Sequence, residues 1–315
     1  MKKIVYPLLC LGVLASSCSS NEPNVGLEQY VGIDHVRVGE LKARAGYEAT
    51  QNFLPQSGVM TLLLQSSDSD SRYSTSGLEF TPSANGWDSN TPLPWALNST
   101  ADWSVFYTSR STSEYTYNSS SLELTWSVPE AQKDLTEEQF NALDLLYAGG
   151  TTSTATITPQ LKHAMAKVRV KYFYESGESN FIPDYSKMIL KTESSALTKT
   201  IKVETGEKWN IAIDVAKNDE QTYNITFRPV GTPTAAEGVF EAIVIPQQVK
   251  SFELECYNNA GSSRGYYSQK ESFTFEPGCM YTITIYYGGR NFGVGNVTVT
   301  PWETVNSVNI ETSDE

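Results

Sequence analysis

Few groupings in this 315-residue chain have the spacing for covalent chemistry. Gly261-Ser262-Ser263-Arg264-Gly265 has the G-x-S-x-G form of a nucleophile elbow, the sharp turn that presents a serine hydroxyl for acyl transfer. That turn needs a strand before it and a helix after it. Here strand-type alternation flanks it on both sides, in residues 251–257 and 266–275, so a hairpin loop is expected. Asp68-Ser69-Asp70 opens like a calcium loop, but Arg72 and Tyr73 stand where Asp or Asn and then Gly are required. It reads as a solvated loop. Of the two histidines, His35 and His163, the second precedes a strand-like run with no acid or nucleophile beside it in sequence. It reads as a structural histidine. Two histidines are also too few for a histidine-built zinc centre. The 6 Trp, 18 Tyr and 12 Phe could line a glycan site, but their alternating positions assign most of them to a core. No catalytic residue, metal site or cofactor is expected. A net charge of −13 excludes a binder that tracks nucleic-acid phosphates.

The N-terminus carries a different kind of chemistry. Lys2 and Lys3, followed by the apolar run 4–15, read as a secretory signal peptide over residues 1–17. That run is too short to span a bilayer. Ala15-Ser16-Ser17 then precede Cys18, an arrangement that resembles a bacterial lipobox, with Ala15 where leucine is usual. Lipidation of Cys18 and anchoring in the outer membrane are therefore expected. Cys10 leaves with the signal, so the folded body keeps Cys256 and Cys279. A meander places them roughly 20 Å apart at about 3.3 Å per residue. A disulfide needs Cα atoms within about 7 Å. Both are expected as free thiols.

The elements that would position any site are strands. Serine and threonine make up a fifth of the chain, which favours strands and solvated loops over helices. Alternation is clearest in residues 167–174, where Val168, Val170, Tyr172 and Tyr174 share one face and Lys167, Arg169 and Lys171 the other. It recurs at Trp209/Ile211/Ile213, Tyr223/Ile225/Phe227, Phe252/Leu254/Cys256, Tyr281/Ile283/Ile285/Tyr287 and Val297/Val299. The N-terminal half is less regular, with strands expected at 59–65, 72–80, 104–108 and 121–127. An all-β fold of sandwich type follows, with antiparallel pairing as the default. One helix competes: Thr136-Glu137-Glu138-Gln139 fits a capping box. The stripe Phe140, Leu143, Leu146, Tyr147 extends it; the alternative is a short helix to Asn141 and a buried strand over 143–148. The Gly/Thr-rich run 149–156 is taken as a domain boundary, dividing 45–152 from 153–315.

The C-terminal half resembles the Bacteroidetes-type fimbrillins. Asp144-Leu145-Leu146-Tyr147-Ala148 is followed by Leu161-Lys162-His163-Ala164-Met165-Ala166-Lys167-Val168, and then by Ile243-Val244-Ile245-Pro246-Gln247. Phe275-Glu276-Pro277-Gly278-Cys279-Met280-Tyr281 and Thr300-Pro301-Trp302 complete an ordered set over residues 144–302. Leu161 stands where an aromatic is more usual. The resemblance implies two transthyretin-like antiparallel β-sandwich domains in tandem, in a cell-surface pilus subunit exported as a lipoprotein. It also implies a cut after an arginine by a trypsin-like protease, removing the lipidated segment 18–44. A donor strand from another pilin subunit would fill the vacated groove. Arg44 is the expected cut; Arg37 is the runner-up, because Val36 and Val38 set it inside a strand. The strand to be lost is 30–38, where Val31 and Ile33 share one parity and Val36 and Val38 the other, so a bulge or two-sided burial is required. The 13 residues past Trp302 alternate poorly as a donor, which leans toward a tip or accessory subunit. The second class of function is a monomeric surface lipoprotein that binds a host or other glycan.

Overall fold

The structure, a computed structural model, describes residues 29–38, 55–66, 77–84, 86–89, 91–95, 100–111, 113–174, 183–204, 210–212, 221–234, 236–258, 264–288 and 291–302. These residues are almost entirely strand, as the alternation predicts. Three buried clusters organise them.

The first lies inside a sheet that returns on itself. Its order runs from Thr156–Ile157 through Gly32–Ile33, Gly86–Ser89, Leu78–Ser83, Val59–Ser66, Ala101–Thr108, Leu146–Thr152 and Gln160–His163 to Arg37–Val38. The two ends of that order are successive pieces of the same two chain runs, 32–38 and 156–163. Run 32–38 therefore closes the ring. Met60, Leu62, Leu64, Val105 and Trp103 fill the inside.

The opposite face of the same strands is buried too. Leu63 and Phe106 point outward into a second cluster, covered by Leu124 and Trp126 of Glu123–Ser127 and by Ile201 of Thr198–Glu204. Burial on both faces removes alternation, which is why the N-terminal half reads as near-continuous apolar runs. Strand Thr198–Glu204 pairs with Glu123–Ser127, so the chain comes back from its C-terminal half to build this layer.

The third cluster fills a sandwich. One sheet has the order Arg228–Val230, Glu237–Val244, Ala166–Tyr174, Cys279–Gly288, Asn291–Pro301; the other has Thr222–Thr226, Pro183–Glu193, Ser251–Asn258, Arg264–Gln269. Val168, Val170 and Tyr172 are buried between them, opposite Leu190 and Leu254. Pairing departs from the antiparallel default at three places: Ala166–Tyr174 with Cys279–Gly288, Gly32–Ile33 with Thr156–Ile157, and Arg37–Val38 with Gln160–His163 are parallel.

The helix follows the shorter alternative. It spans Glu137–Asn141 with both bonds of the Thr136/Gln139 capping box, and Leu146–Thr152 is strand. Only Phe140 of the helix is buried, too little apolar face to carry it further. No disulfide joins Cys256 and Cys279, which border the same sandwich core. Strands Ser251–Asn258 and Arg264–Gln269 pair antiparallel, with Tyr257 opposite Arg264, as a hairpin requires; Gly261, Ser262 and Ser263 lie outside the described residues. So does the Asp68-Ser69-Asp70 loop.

Candidate functional site: a closing strand and a buried junction

The closing strand is held on both sides by backbone bonds. On one side Val31 N–H donates to the Leu93 carbonyl at 2.8 Å, and Trp95 N–H donates to the Gln29 carbonyl at 2.6 Å. On the other, Gly32, Asp34 and Arg37 donate to the carbonyls of Ala155, Ile157 and Pro159 at 3.0, 2.9 and 3.0 Å. The expected parity conflict is resolved by a kink. His35 takes a positive φ of 49°, and its imidazole meets the Asp34 carboxylate at 2.6 Å on the exposed side. The kink returns Val36 to the side of Val31 and Ile33, and all three are buried in the first core. Burying three such side chains stabilises the closed ring by roughly 5–9 kcal/mol before entropy is counted. The strand elements themselves are only two residues each, Gly32–Ile33 and Arg37–Val38. Arg37 is thus in a strand, as its neighbours predict. Cys18 and Arg44 lie outside the described residues.

The ordered motifs meet elsewhere, in the second cluster, where the ring and the sandwich share a core. His163 Nδ1 and Asp144 Oδ2 are 2.5 Å apart, with both side chains buried. The imidazole lies flat on Trp302, centroids 4.2 Å apart and planes 4° from parallel. Lys167 Nζ sits 4.3 Å from the centre of the same indole and 3.3 Å from Glu241 Oε2. Arg169 closes on the other Glu241 oxygen, its Nε donating at 2.7 Å. Trp302 N–H donates to the Gly278 carbonyl and Gly278 N–H to that of Met165, so the Pro277-Gly278 turn ties the last strand to the run after His163. Gly278 has a φ of +69°, which a side chain would strain, and an added Cβ would come within 3.2 Å of the His163 carbonyl.

A further cation lies in the same cluster. The Arg110 guanidinium stacks 4.0 Å above Trp126 while its Nε donates to the Ala142 carbonyl at 2.7 Å. Burial pushes it down to about 10, against the pull of Glu114 and Asp144. Gln132, fully buried, exchanges two bonds with the Ile243 backbone, as an extra strand residue would. Burial works against both partners of the central ion pair. It lowers Lys167 despite Glu241 and Asp144; for Glu241 the combined charge of Lys167 and Arg169 outweighs burial and holds the carboxyl below its ordinary range.

A histidine–carboxylate pair is the arrangement that orients a general base. Here the imidazole face is closed by Trp302 and the ring is 6 % exposed, so no substrate reaches it. His163 is structural, as expected. Its partner, Asp144, lies 19 residues back and was not assigned from sequence; nor was the burial of Lys167, whose parity alone puts it on a solvent face. The signal was present in the ordering of the motifs, all of which contribute to one junction.

Chain and site define an all-β, multi-sheet protein whose ring is closed by a short strand near its N-terminus. The profile of the fimbrillin-like family matches residues 44–302, and the chain belongs to that family. Membership supports a pilus or adhesin subunit at the cell surface. A search of curated proteins finds no match. Among solved structures, a candidate cell adhesion protein from Bacteroides ovatus ATCC 8483 superposes with a TM-score of 0.59 at 14 % identity, covering 88 % of this chain and 98 % of that one. A second, from Bacteroides uniformis ATCC 8492, gives 0.57 at 13 %, over 88 % and 99 %. The tip fimbrial protein Mfa3 from Porphyromonas gingivalis, with a C-terminal truncation, gives 0.47 at 11 %, over 78 % and 94 %. At such identities the first two likenesses speak for the fold.

Proposed function

We propose that this chain is a subunit of a surface pilus, assembled by replacement of strand 29–38 with a strand from another subunit. The observation that carries the reading is how that strand is held: backbone bonds on both sides and three buried apolar side chains, all of a kind that any β-prone strand could supply. Loss of the strand would leave an open apolar groove with unpaired backbone on both walls, a state that a donor strand relieves. Cleavage after Arg44 would leave residues 29–38 joined to the body by non-covalent contacts alone. A trypsin-like protease is the processing partner, and Cys18 carries the lipid that holds the precursor in the outer membrane. The three clusters are read as the cores of two transthyretin-like domains with a shared junction. The boundary expected near residues 152–153 is crossed by run 156–163, which completes the ring, and by Thr198–Glu204, which pairs with Glu123–Ser127. A tip or accessory position is the finer proposal, since Val305, Val308 and Ile310 alternate poorly as a donor.

Arg44→Ala tests the reading. The variant is expected to remain a lipidated, folded monomer, whereas the cut wild-type protein forms ladders on non-boiled gels. Equal assembly by both would refute strand replacement. Loss of lipid labelling in Cys18→Ser tests the anchor. Deletion of residues 303–315 leaves incorporation into pili intact for a tip subunit and abolishes it for a stalk subunit.

A further inference from the structure

The closing strand does not run evenly along the wall formed by residues 155–161. Ile33 pairs with Ile157 and Arg37 with Gln160, so three residues of the strand, Asp34, His35 and Val36, stand against two of the wall, Thr158 and Pro159. The hydrogen bonds carry the same offset. Acceptor carbonyls on the wall come at every second residue, Ala155, Ile157 and Pro159, while their donors Gly32, Asp34 and Arg37 are two and then three apart. Inward side chains follow the donors: Val31, Ile33 and Val36 are also two and then three apart. One extra residue is looped out as a bulge, and His35 holds it with its positive φ of 49°.

The wall itself calls for that bulge. In a regular parallel ladder, residue 159 would donate its N–H to the carbonyl of residue 34, but Pro159 has none. A straight strand would leave that carbonyl facing the wall without a donor. The bulge interrupts the ladder there, where the Asp34 and His35 side chains are more than half exposed and water is at hand. A branched side chain is disfavoured at a left-handed position, which glycine, asparagine, aspartate and histidine accept more readily. Residues 303–315 of this chain do not match the pattern. Val305, Val308 and Ile310 are three and then two apart. Setting Val308 and Ile310 in the first two places puts Ser313 in the third and Thr312 at the kink.

We infer that this groove, on the strand-replacement reading above, selects its donor by the bulge. The donor is a strand from a different subunit, running parallel to residues 155–161. It carries apolar side chains at its first, third and sixth residues and glycine, asparagine, aspartate or histidine at its fifth. Those are the places that Val31, Ile33, Val36 and His35 now fill. Ordinary alternation does not supply such a register, so the bulge discriminates among donors that are equally β-prone.

The test uses the full chain carrying Cys18→Ser, cut after Arg44 and mixed with labelled peptides. A copy of residues 29–38 is expected to enter the groove and co-elute with the protein, and so is its His35→Gly form. The His35→Val form should bind about tenfold more weakly, the penalty for a branched side chain in the left-handed region. The copy lacking His35 is decisive. It alternates perfectly, with Val31, Ile33 and Val36 on one face, yet should bind more weakly than the full copy. Peptide 303–315 should not be retained. If the peptide lacking His35 binds as tightly as the copy, or if 303–315 does, the inference is overturned while strand replacement stands. If no peptide enters, the copy included, strand replacement itself fails. Hydrogen exchange on the uncut chain gives an independent reading. Deleting His35 there should speed exchange at residues 29–38 and 155–161 and leave 166–174 protected, whereas unchanged protection overturns the inference.

Discussion

The ring and the sandwich are closed in opposite ways. Long registers close the sandwich: Ala166–Tyr174 pairs over eight residues with each of its neighbours, and its valines lie at the centre of the core. The ring is closed by two two-residue pieces, Gly32–Ile33 and Arg37–Val38, split by a left-handed histidine. Both closures bury valine completely, at Val170 and at Val36. The difference lies in what the burial is attached to. Val170 belongs to a strand paired along its length on both sides, whereas Val36 belongs to the short strand proposed above to be replaced in assembly. The ring is therefore expected to open before the sandwich does.

Substitution at those two valines gives the largest contrast. Val170→Asp places an unpaired charge in the sandwich core and is expected to cost about 4 kcal/mol or more. That corresponds to a fall in melting temperature of about 10 °C, measured by calorimetry or circular dichroism. Val36→Asp should cost about 2–3 kcal/mol, limited by the option of releasing the strand. Hydrogen exchange would then accelerate at residues 29–38 and 155–161 while residues 166–174 stay protected. Equal global unfolding by the two substitutions would erase the distinction between the closures.

A smaller effect separates the junction from both. Glu241 is held below the ordinary carboxylate range by Lys167 and Arg169 against the opposing effect of burial. A depressed carboxyl contributes stability that is complete above its unfolded value and is lost as pH falls through the folded one. Acid should therefore weaken the protein from the ordinary carboxylate range downward, leaving Lys167 buried without its counter-charge. In Glu241→Gln that part of the acid limb should flatten, with lower stability at neutral pH, as read by denaturant titrations across pH. An unchanged acid limb would mean that the Lys167–Glu241–Arg169 cluster contributes no pH-dependent stability. The smallest effect is expected at the helix: Thr136→Ala removes one half of the capping box and should cost about 1 kcal/mol, visible as a shift in urea midpoint.

How much of this was readable beforehand differs between the two regions. In the sandwich, one face of each strand is core, so Val168, Val170 and Tyr172 announced themselves by parity. In the ring, Leu62, Leu63 and Leu64 are all buried, and no periodicity survives to say which faces which layer. Parity also misled at Lys167: the rule that places it opposite Val168 is right, but the opposite face is roofed there by Trp302 and Phe140. The imperfect alternation of residues 30–38 called for a bulge or two-sided burial, and the left-handed turn at His35 puts Val31, Ile33 and Val36 on one side.

The sequence by itself determined the local chemistry: strands where β-branched and aromatic residues alternate, the capped turn at Thr136, a hairpin rather than a nucleophile elbow around Ser262, and the ordered motifs of the fimbrillin-like family. Each of these depends on residues close together in the chain, whose sterics and hydrogen bonding act whatever the rest of the molecule does. Tertiary structure alone decided which strands lie side by side in parallel, that 32–38 closes a ring, and that Asp144, His163, Lys167, Glu241 and Trp302 share one buried junction. Those outcomes are set by which apolar faces find each other across 19 to 158 residues of chain, a global packing choice on which local propensity is silent.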